Sequence, residues 1–354
     1  MSKLNKLRNE MSSLGLDAVV VLDELNQRYL SDFAFTDGLL FITKDKAYLL
    51  TDFRYYEMAL NSADKGFEVI TPETRTAYLG NLLSEHCCKR VGFEGESVSY
   101  STYCGYREKY GNIEWVNISD TIEKIRRIKT QDEIELMQRA QDITDLAFSH
   151  ILSVINPDIT EIEVAAELEY AMRRAGADGL AFETIAVSGD ASALPHGTPR
   201  NVKLKKGFLT MDFGAKFKGY CSDMTRTVVI GKADEEIKRL YNTVLKAQLS
   251  AIEYIKAGCD CGEADKIARD IINKDYNGCF GHSLGHSVGL FIHEAPGMST
   301  KAFGKKLSAG NVVTVEPGIY LLGKYGCRIE DMVAVTDNGV YNFTKSPKNL
   351  IEIL

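Results

Sequence analysis

"GFLTMDFGAKFKGYCSDMTRTVVIG", residues 207–231, sets two apolar, strand-like segments on either side of a turn rich in glycine and lysine, and gives each an acid, Asp212 and Asp223. Because side chains alternate along a strand, Asp212 falls on the face of Phe208 and Thr210, opposite Leu209, Met211 and Phe213. A carboxylate in such a run is costly to bury unless it is paired or bound to a metal. The anomaly recurs downstream. Glu316 closes the β-branched run of "VVTVEPGIY", and Glu330 in "GCRIEDMVAV" is expected to share a strand face with Arg328 and Met332. Each acid needs a partner.

Imidazoles accompany the acids. "FGHSLGHSVGLFIHEAP", residues 280–296, holds His282, His286 and His293, half of the six histidines of the chain, and "LPHGTP" adds His196. Carboxylates with imidazole are a ligand set for Mn, Co, Zn or Fe rather than a thiolate site. A pair of metals about 3.5–4 Å apart needs bridging carboxylates and can hold a hydroxide nucleophile at neutral pH, which accounts for the surplus of acids over histidines. Taken singly, each residue has an ordinary explanation: a core histidine, a hairpin-end aspartate, an Arg328–Glu330 ion pair. Their joint occurrence carries the argument. His86 and His150 lie outside every motif and are read as structural. "GHSLGHSVG" lacks the spacing of a glycine-rich phosphate cradle, and a thiol nucleophile at Cys279 is not needed to explain His282.

Around these motifs the chain has two parts. The first third alternates helix-like and strand-like segments: an amphipathic start to about Leu14, "DAVVVLD", "GLLFITKDKAYLLTD", "RYYEMALNSA", "FEVIT" and "RVGFEGE". This predicts a small α/β domain with a largely parallel or mixed sheet. The register changes after "WVNISDTIEKIRRIK", and Thr130 with Glu133 forms a capping box, as does Thr160 with Glu163. The expected domains are 1–124 and 125–354. The second carries four helices, two before the 207–231 hairpin and two in "ADEEIKRLYNTVLKAQLSAIEYIKAG" and "GEADKIARDIINKD", around the strands quoted above, an α+β arrangement.

Composition excludes several classes. With 45% hydrophobic and 26% charged residues and a formal charge of −7, the 354-residue chain is an ordinary globular protein without the basic face of a nucleic-acid binder. Its short basic run "KIRRIK", 124–129, reads as a solvated linker. The eight cysteines form no CxxC pair and read as reduced core thiols. The start is charged and has no signal-peptide core, and no apolar run is long enough for a membrane helix, so the expected location is the cytoplasm.

"MDFGAKFKGYCSDMTRT", "GHSLGHSVGLFIHE", "VVTVEPGIY" and "GCRIEDMVAV" resemble, in order and spacing, the aminopeptidase P and prolidase group of the methionine-aminopeptidase-like metallopeptidases. The resemblance implies a pita-bread catalytic domain behind a smaller amino-terminal α/β domain. It implies metal ligands at Asp212, Asp223, His286, Glu316 and Glu330, with Asp223 and Glu330 shared between two divalent ions, most often Mn, with Co, Zn or Fe as alternatives. It places His196 toward substrate, His293 on the scissile carbonyl, His282 on the proline side, Glu316 as a candidate base, and Arg328 bracing the carboxylates. The implied substrate is a peptide with proline at its second position, and the implied assembly a homodimer or larger. Three other readings share the fold: a metal-free creatinase-like C–N hydrolase, a non-catalytic binding protein, and a methionine aminopeptidase. Occupied ligand positions count against the first two, and the extra amino-terminal domain with His282 against the third.

Overall fold

The short apolar runs of the first third pair into one sheet. Its strands are β1 Ala18–Val21, β2 Leu39–Thr43, β3 Ala47–Leu50, β4 Glu68–Ile70, β5 Arg90–Phe93 and β6 Glu114–Asn117, in the order β4-β3-β2-β1-β5-β6. β2 pairs antiparallel with β1 and β3, while β3–β4, β1–β5 and β5–β6 are parallel, so the sheet is mixed. Helices α1 Lys3–Ser13, α2 Glu24–Ser31, α3 Phe53–Ser62, α4 Arg75–Glu85, α5 Tyr100–Lys109 and α6 Ser119–Arg127 accompany it. The computed structural model describes residues 1–354, and the chain divides into the units Met1–Arg126 and Arg127–Leu354. No helix is long and apolar enough to cross a membrane.

"KIRRIK" is not a solvated linker. Its first four residues end α6, and Arg126 is buried and donates to Asn26 Oδ1 at 2.8 Å within the first unit. Lys129, in the second unit, is buried against Glu294 at 3.0 Å, and its amide donates to Gly310 O. A basic run looks solvated when its acidic partner lies far off in sequence, as Glu294 does.

The second unit is built on two helix pairs. α7 Gln131–Val154 and α8 Glu161–Arg174 both begin with the expected capping boxes. α9 Glu235–Tyr254 and α10 Cys261–Asn273 begin at Asp234 and Asp260, whose carboxylates accept amides of the first turn. Between α8 and α9 run β7 Gly179–Leu180, β8 Ile185–Ser188, β9 Gly207–Phe213, β10 Ala215–Phe217, β11 Tyr220–Cys221 and β12 Met224–Ile230. After α10 come β13 Gly285–Ser287, β14 Glu294–Met298, β15 Val312–Val315, β16 Gly318–Leu321, β17 Tyr325–Arg328, β18 Asp331–Thr336, β19 Gly339–Asn342 and β20 Glu352–Ile353. The two main sheets run β20-β12-β9-β8 and β14-β13-β15-β18-β19.

The alternation read along 207–213 is realised as two cores. Phe208 packs with α9 and α10, whereas Leu209, Met211 and Phe213 pack with α7 and α8. Two strand readings need correction. Asp223 sits just before β12, not inside it, and "CRIEDMVAV" is not one strand. β17 ends at Arg328 on β16, β18 starts at Asp331 on β15, and between them the Glu330 amide donates to Thr225 O of β12. Glu330 therefore lies where the chain changes sheets, and the shared face with Arg328 and Met332 fails because no single ladder spans the three. The eight cysteines are unpaired, five of them buried.

Close backbone approach fixes the hairpin that carries the two aspartates. A Cβ on Gly214 would lie 2.1 Å from the Ser222 carbonyl oxygen and 3.0 Å from the Phe182 ring. The backbone on one side and a packed ring on the other leave no room to give, so Gly214→Ala is expected to cost about 1–3 kcal/mol or more. A thermal melt of the variant should show a drop of several degrees; an unchanged melt would contradict the contact.

Candidate active site

All nine residues singled out in the sequence meet in one cavity of about 780 Å³: His196, Asp212, Asp223, His282, His286, His293, Glu316, Arg328 and Glu330. Most come from places where a strand starts, stops or meets a neighbour; His196 and His282 lie in irregular segments. Asp212 lies near the end of β9, opposite Ile185 of β8 and Thr225 of β12. Glu316 is the first residue past β15, and His286 is the middle residue of β13. Asp212, Asp223 and Glu330 each offer an oxygen, all within 4.8 Å of one another. His286 Nε2 stands 3.6 Å from Asp223 Oδ2 and 3.4 Å from Glu316 Oε1, which extends the cluster. The His293 ring lies 4.4 Å from that of His286. His86 and His150 stay outside, bonded to Tyr48 and Glu167.

The cluster is short of positive charge. Burial, then the neighbouring Glu330, Asp212 and Glu316, push Asp223 well above the usual carboxylate range. Burial, then Glu316 and Asp212, do the same to Glu330, and burial raises Glu316 to about 7. Burial opposes the charge on Arg328, yet Tyr320 and the acids around it hold the guanidinium above its ordinary value. Asp212 Oδ1 and Glu330 Oε1 are buried without a hydrogen-bond partner. One guanidinium cannot neutralise four carboxylates. Buried acceptors pointing at one another with lone pairs unused fit a site for divalent cations.

Thr225, Thr314 and Tyr320, not singled out in the sequence, set the geometry together with Arg328. Arg328 Nη2 donates to Asp212 Oδ2 at 2.6 Å, Nε to Thr225 Oγ1 at 2.9 Å, and Nη1 to Tyr320 OH at 2.8 Å and Pro195 O at 3.2 Å. Thr225 Oγ1 donates to Glu330 Oε2 at 2.7 Å, and Thr314 Oγ1 to Glu316 Oε1 at 3.0 Å. His282 Nδ1 is 2.8 Å from the Ser283 carbonyl, so that nitrogen carries the proton. Nε2 then accepts from Tyr320 OH at 2.9 Å, and burial, then Arg328, hold the ring neutral, its pKa lowered to about 4. Burial lowers His286 and His293 too. Thr225 and Thr314 were findable as hydroxyls two residues from an acid in a strand pattern. Tyr320 carried no such signal.

Buried acids and neutral imidazoles gathered at strand ends around a cleft define a metal-dependent hydrolase. Residues 135–337 match metallopeptidase family M24, and residues 3–128 match the creatinase/prolidase N-terminal domain. A Xaa-Pro dipeptidase of Pyrococcus furiosus is 37% identical over 99% of both chains. Among solved structures, a Xaa-Pro dipeptidase from Bacillus anthracis superposes with a TM-score of 0.93 at 43% identity over 99% of both chains. An X-Pro aminopeptidase from Thermotoga maritima superposes with a TM-score of 0.93 at 35% identity over 100% of both. The chain belongs to metallopeptidase family M24, with the pita-bread α+β fold behind an amino-terminal domain.

The raised carboxyls make stability depend on pH in a defined sense. For Glu316, raised from 4.5 to about 7, the contribution to stability is complete below the lower value and lost as pH climbs through the upper one. Without metal this loss is in place by pH 8. Cations that take up the ionised oxygens remove it. The gap in Tm between metal-loaded and chelator-treated protein is therefore expected to widen from pH 5 to pH 8; a gap that stays constant or narrows would contradict the account.

Proposed function

We propose that this metallopeptidase is a two-metal exopeptidase that cleaves the bond between an amino-terminal residue and a following proline. The observation that carries the reading is the convergence of four buried or half-buried carboxylates and His286 with two acceptor oxygens left over, in a cavity also lined by His282, whose ring is held by Tyr320 from outside the lining. The names of the dipeptidase and aminopeptidase relatives support the substrate. Asp212, Asp223, His286, Glu316 and Glu330 would hold the ions, with manganese first among Mn, Co, Zn and Fe. Asp223 and Glu330 would be shared between the ions, a reading supported by the closeness of Asp223 to Asp212, Glu330 and His286. Divalent ions bound there supply polarisation of the scissile carbonyl, a site for the free amine and an activated water.

The chain's own groups do the rest. Glu316, steadied by Thr314, takes the proton of the attacking water. His293, neutral and beside His286, donates to the oxyanion that develops on the carbonyl, and His196 approaches the substrate. Arg328 keeps the carboxylates spaced by holding Asp212 directly and Glu330 through Thr225. Both nitrogens of His282 are engaged, by Ser283 O and Tyr320 OH, so it offers the proline ring a packing surface and not a hydrogen bond. A Xaa-Pro nitrogen has no hydrogen to donate, which suits a site that recognises the ring by contact. Working as a cytoplasmic homodimer or larger assembly fits the acidic surface and the family. A metal-free hydrolase or a binding protein would have no use for five converging donors.

Peptides with a free amine and proline second should be hydrolysed. Acetylating the amine or replacing proline by alanine should each lower kcat/KM about 100-fold. Equal rates on Xaa-Pro and Xaa-Ala would refute the substrate reading.

The histidines should separate by readout. His293→Ala is expected to lower kcat about 100- to 1,000-fold while elemental analysis still finds two ions per chain. His286→Ala should lose metal first. Equal metal loss in both variants would overturn this division of roles.

A further inference from the structure

The segment that carries His282 has almost no ladder of its own. Phe280 to Leu284 is irregular chain between α10 and β13, and its backbone groups must find partners elsewhere. Three of them find partners on α10, while the Leu284 carbonyl accepts the Glu316 amide. Arg269 Nη1 donates to Phe280 O at 2.6 Å and Nη2 to His282 O at 2.8 Å. The same guanidinium is clamped by Asp265, with Nε to Oδ2 at 2.8 Å and Nη2 to Oδ1 at 2.9 Å, and Asp265 Oδ1 also accepts the Leu284 amide at 3.0 Å. Asp265 is fully buried. An Asp–Arg pair four residues apart on an exposed helix face is worth only a few tenths of a kcal/mol. Here the pair instead grips both ends of the His282 segment.

Side chains continue the connection inward. The Arg269 guanidinium lies over the Phe280 ring, 4.3 Å from its centroid, and Phe280 meets His282 edge-on, with centroids 5.0 Å apart at 90°. His282 is bonded to Tyr320, and Tyr320 to Arg328, which holds Asp212. The position of the His282 ring is thus fixed from behind by Phe280 and the Arg269 fork, and from the front by the hydroxyl of Tyr320. A fork with two donors fits two carbonyls at once, which a lysine cannot do.

We infer that Arg269, set by Asp265, is a positioning residue for proline selectivity: through Phe280 and the carbonyls of this segment it holds the cavity-lining ring of His282 at the distance at which a pyrrolidine ring makes contact. This rests on the proline-directed reading above. Arg269 does not line the cavity, so it acts through the segment it holds, of which His282 and Ser283 line the cavity.

The test compares kcat/KM of the metal-loaded enzyme for Xaa-Pro and Xaa-Ala substrates of otherwise identical sequence. Arg269→Gln is expected to lower the Pro/Ala ratio about tenfold, mainly through KM for the proline substrate, at unchanged metal content. Added to His282→Ala, it should change the ratio less than twofold. Arg269→Lys, which reaches one carbonyl only, should fall between parent and Arg269→Gln. A ratio within twofold of the parent in Arg269→Gln, an equal loss on both substrates, or full additivity with His282→Ala overturns the inference. Should Arg269→Gln fail to fold, Phe280→Leu, which keeps apolar volume but removes the intervening ring, must lower the same ratio, and an unchanged ratio is equally fatal. An unselective parent overturns the proline reading and the inference with it; a selective parent whose variants stay selective overturns the inference alone.

Discussion

Four carboxylates confined to one cavity repel each other and lose their hydration together. Asp223, Glu316 and Glu330 are all pushed toward their neutral forms by this crowding. A fold that keeps them there must hold each oxygen from behind, since any that could swing out to water would do so. Thr225, Thr314 and Arg328 are that restraint, and each belongs to a strand or directly ends one.

The layered architecture follows from the same demand. Asp212 can sit on a central strand only because the two faces of that strand feed different cores, so packing against α7 and α8 on one side and α9 and α10 on the other fixes its backbone. Glu330 reaches the cluster at the crossing between two sheets, where its amide is taken by Thr225 and its neighbour Asp331 is held by Arg226 and Lys348. Sheet changes are places where side chains are not committed to a ladder. The site uses three such irregularities, at Asp223, Glu316 and Glu330.

Much of this could be read from the chain alone, because the offending residues break a pattern. Asp212 breaks a period of two, Glu316 ends a β-branched run, and three histidines crowd one glycine-rich loop. Both capping boxes and the mixed amino-terminal sheet were legible on local grounds as well. What escaped were features whose partner lies far along the chain and which no motif marked. Lys129 and Arg126 look like solvent-facing charges until Glu294 and Asn26 are brought to them. Tyr320 is one more aromatic in a strand until Arg328 and His282 close on its hydroxyl. Asp265 and Arg269 look like an everyday helical pair. The register of Glu330 was misread because sequence periodicity does not show a change of sheet.

Two glycines next to the site carry a consequence for how such a chain can diverge. A Cβ at Gly285, beside His286, would stand 2.0 Å from the Thr314 carbonyl oxygen, much as one at Gly214 would meet Ser222. In both cases the obstacle is backbone, which a compensating side-chain change elsewhere cannot shrink. Drift at these two positions is therefore closed off, and with it any gradual route that moves the donors along their strands. New specificities in descendants of this chain have room to arise in side chains that line the cleft away from these two contacts, among them those of residues 195–199 and 282–283, while the ladder beneath them stays as it is.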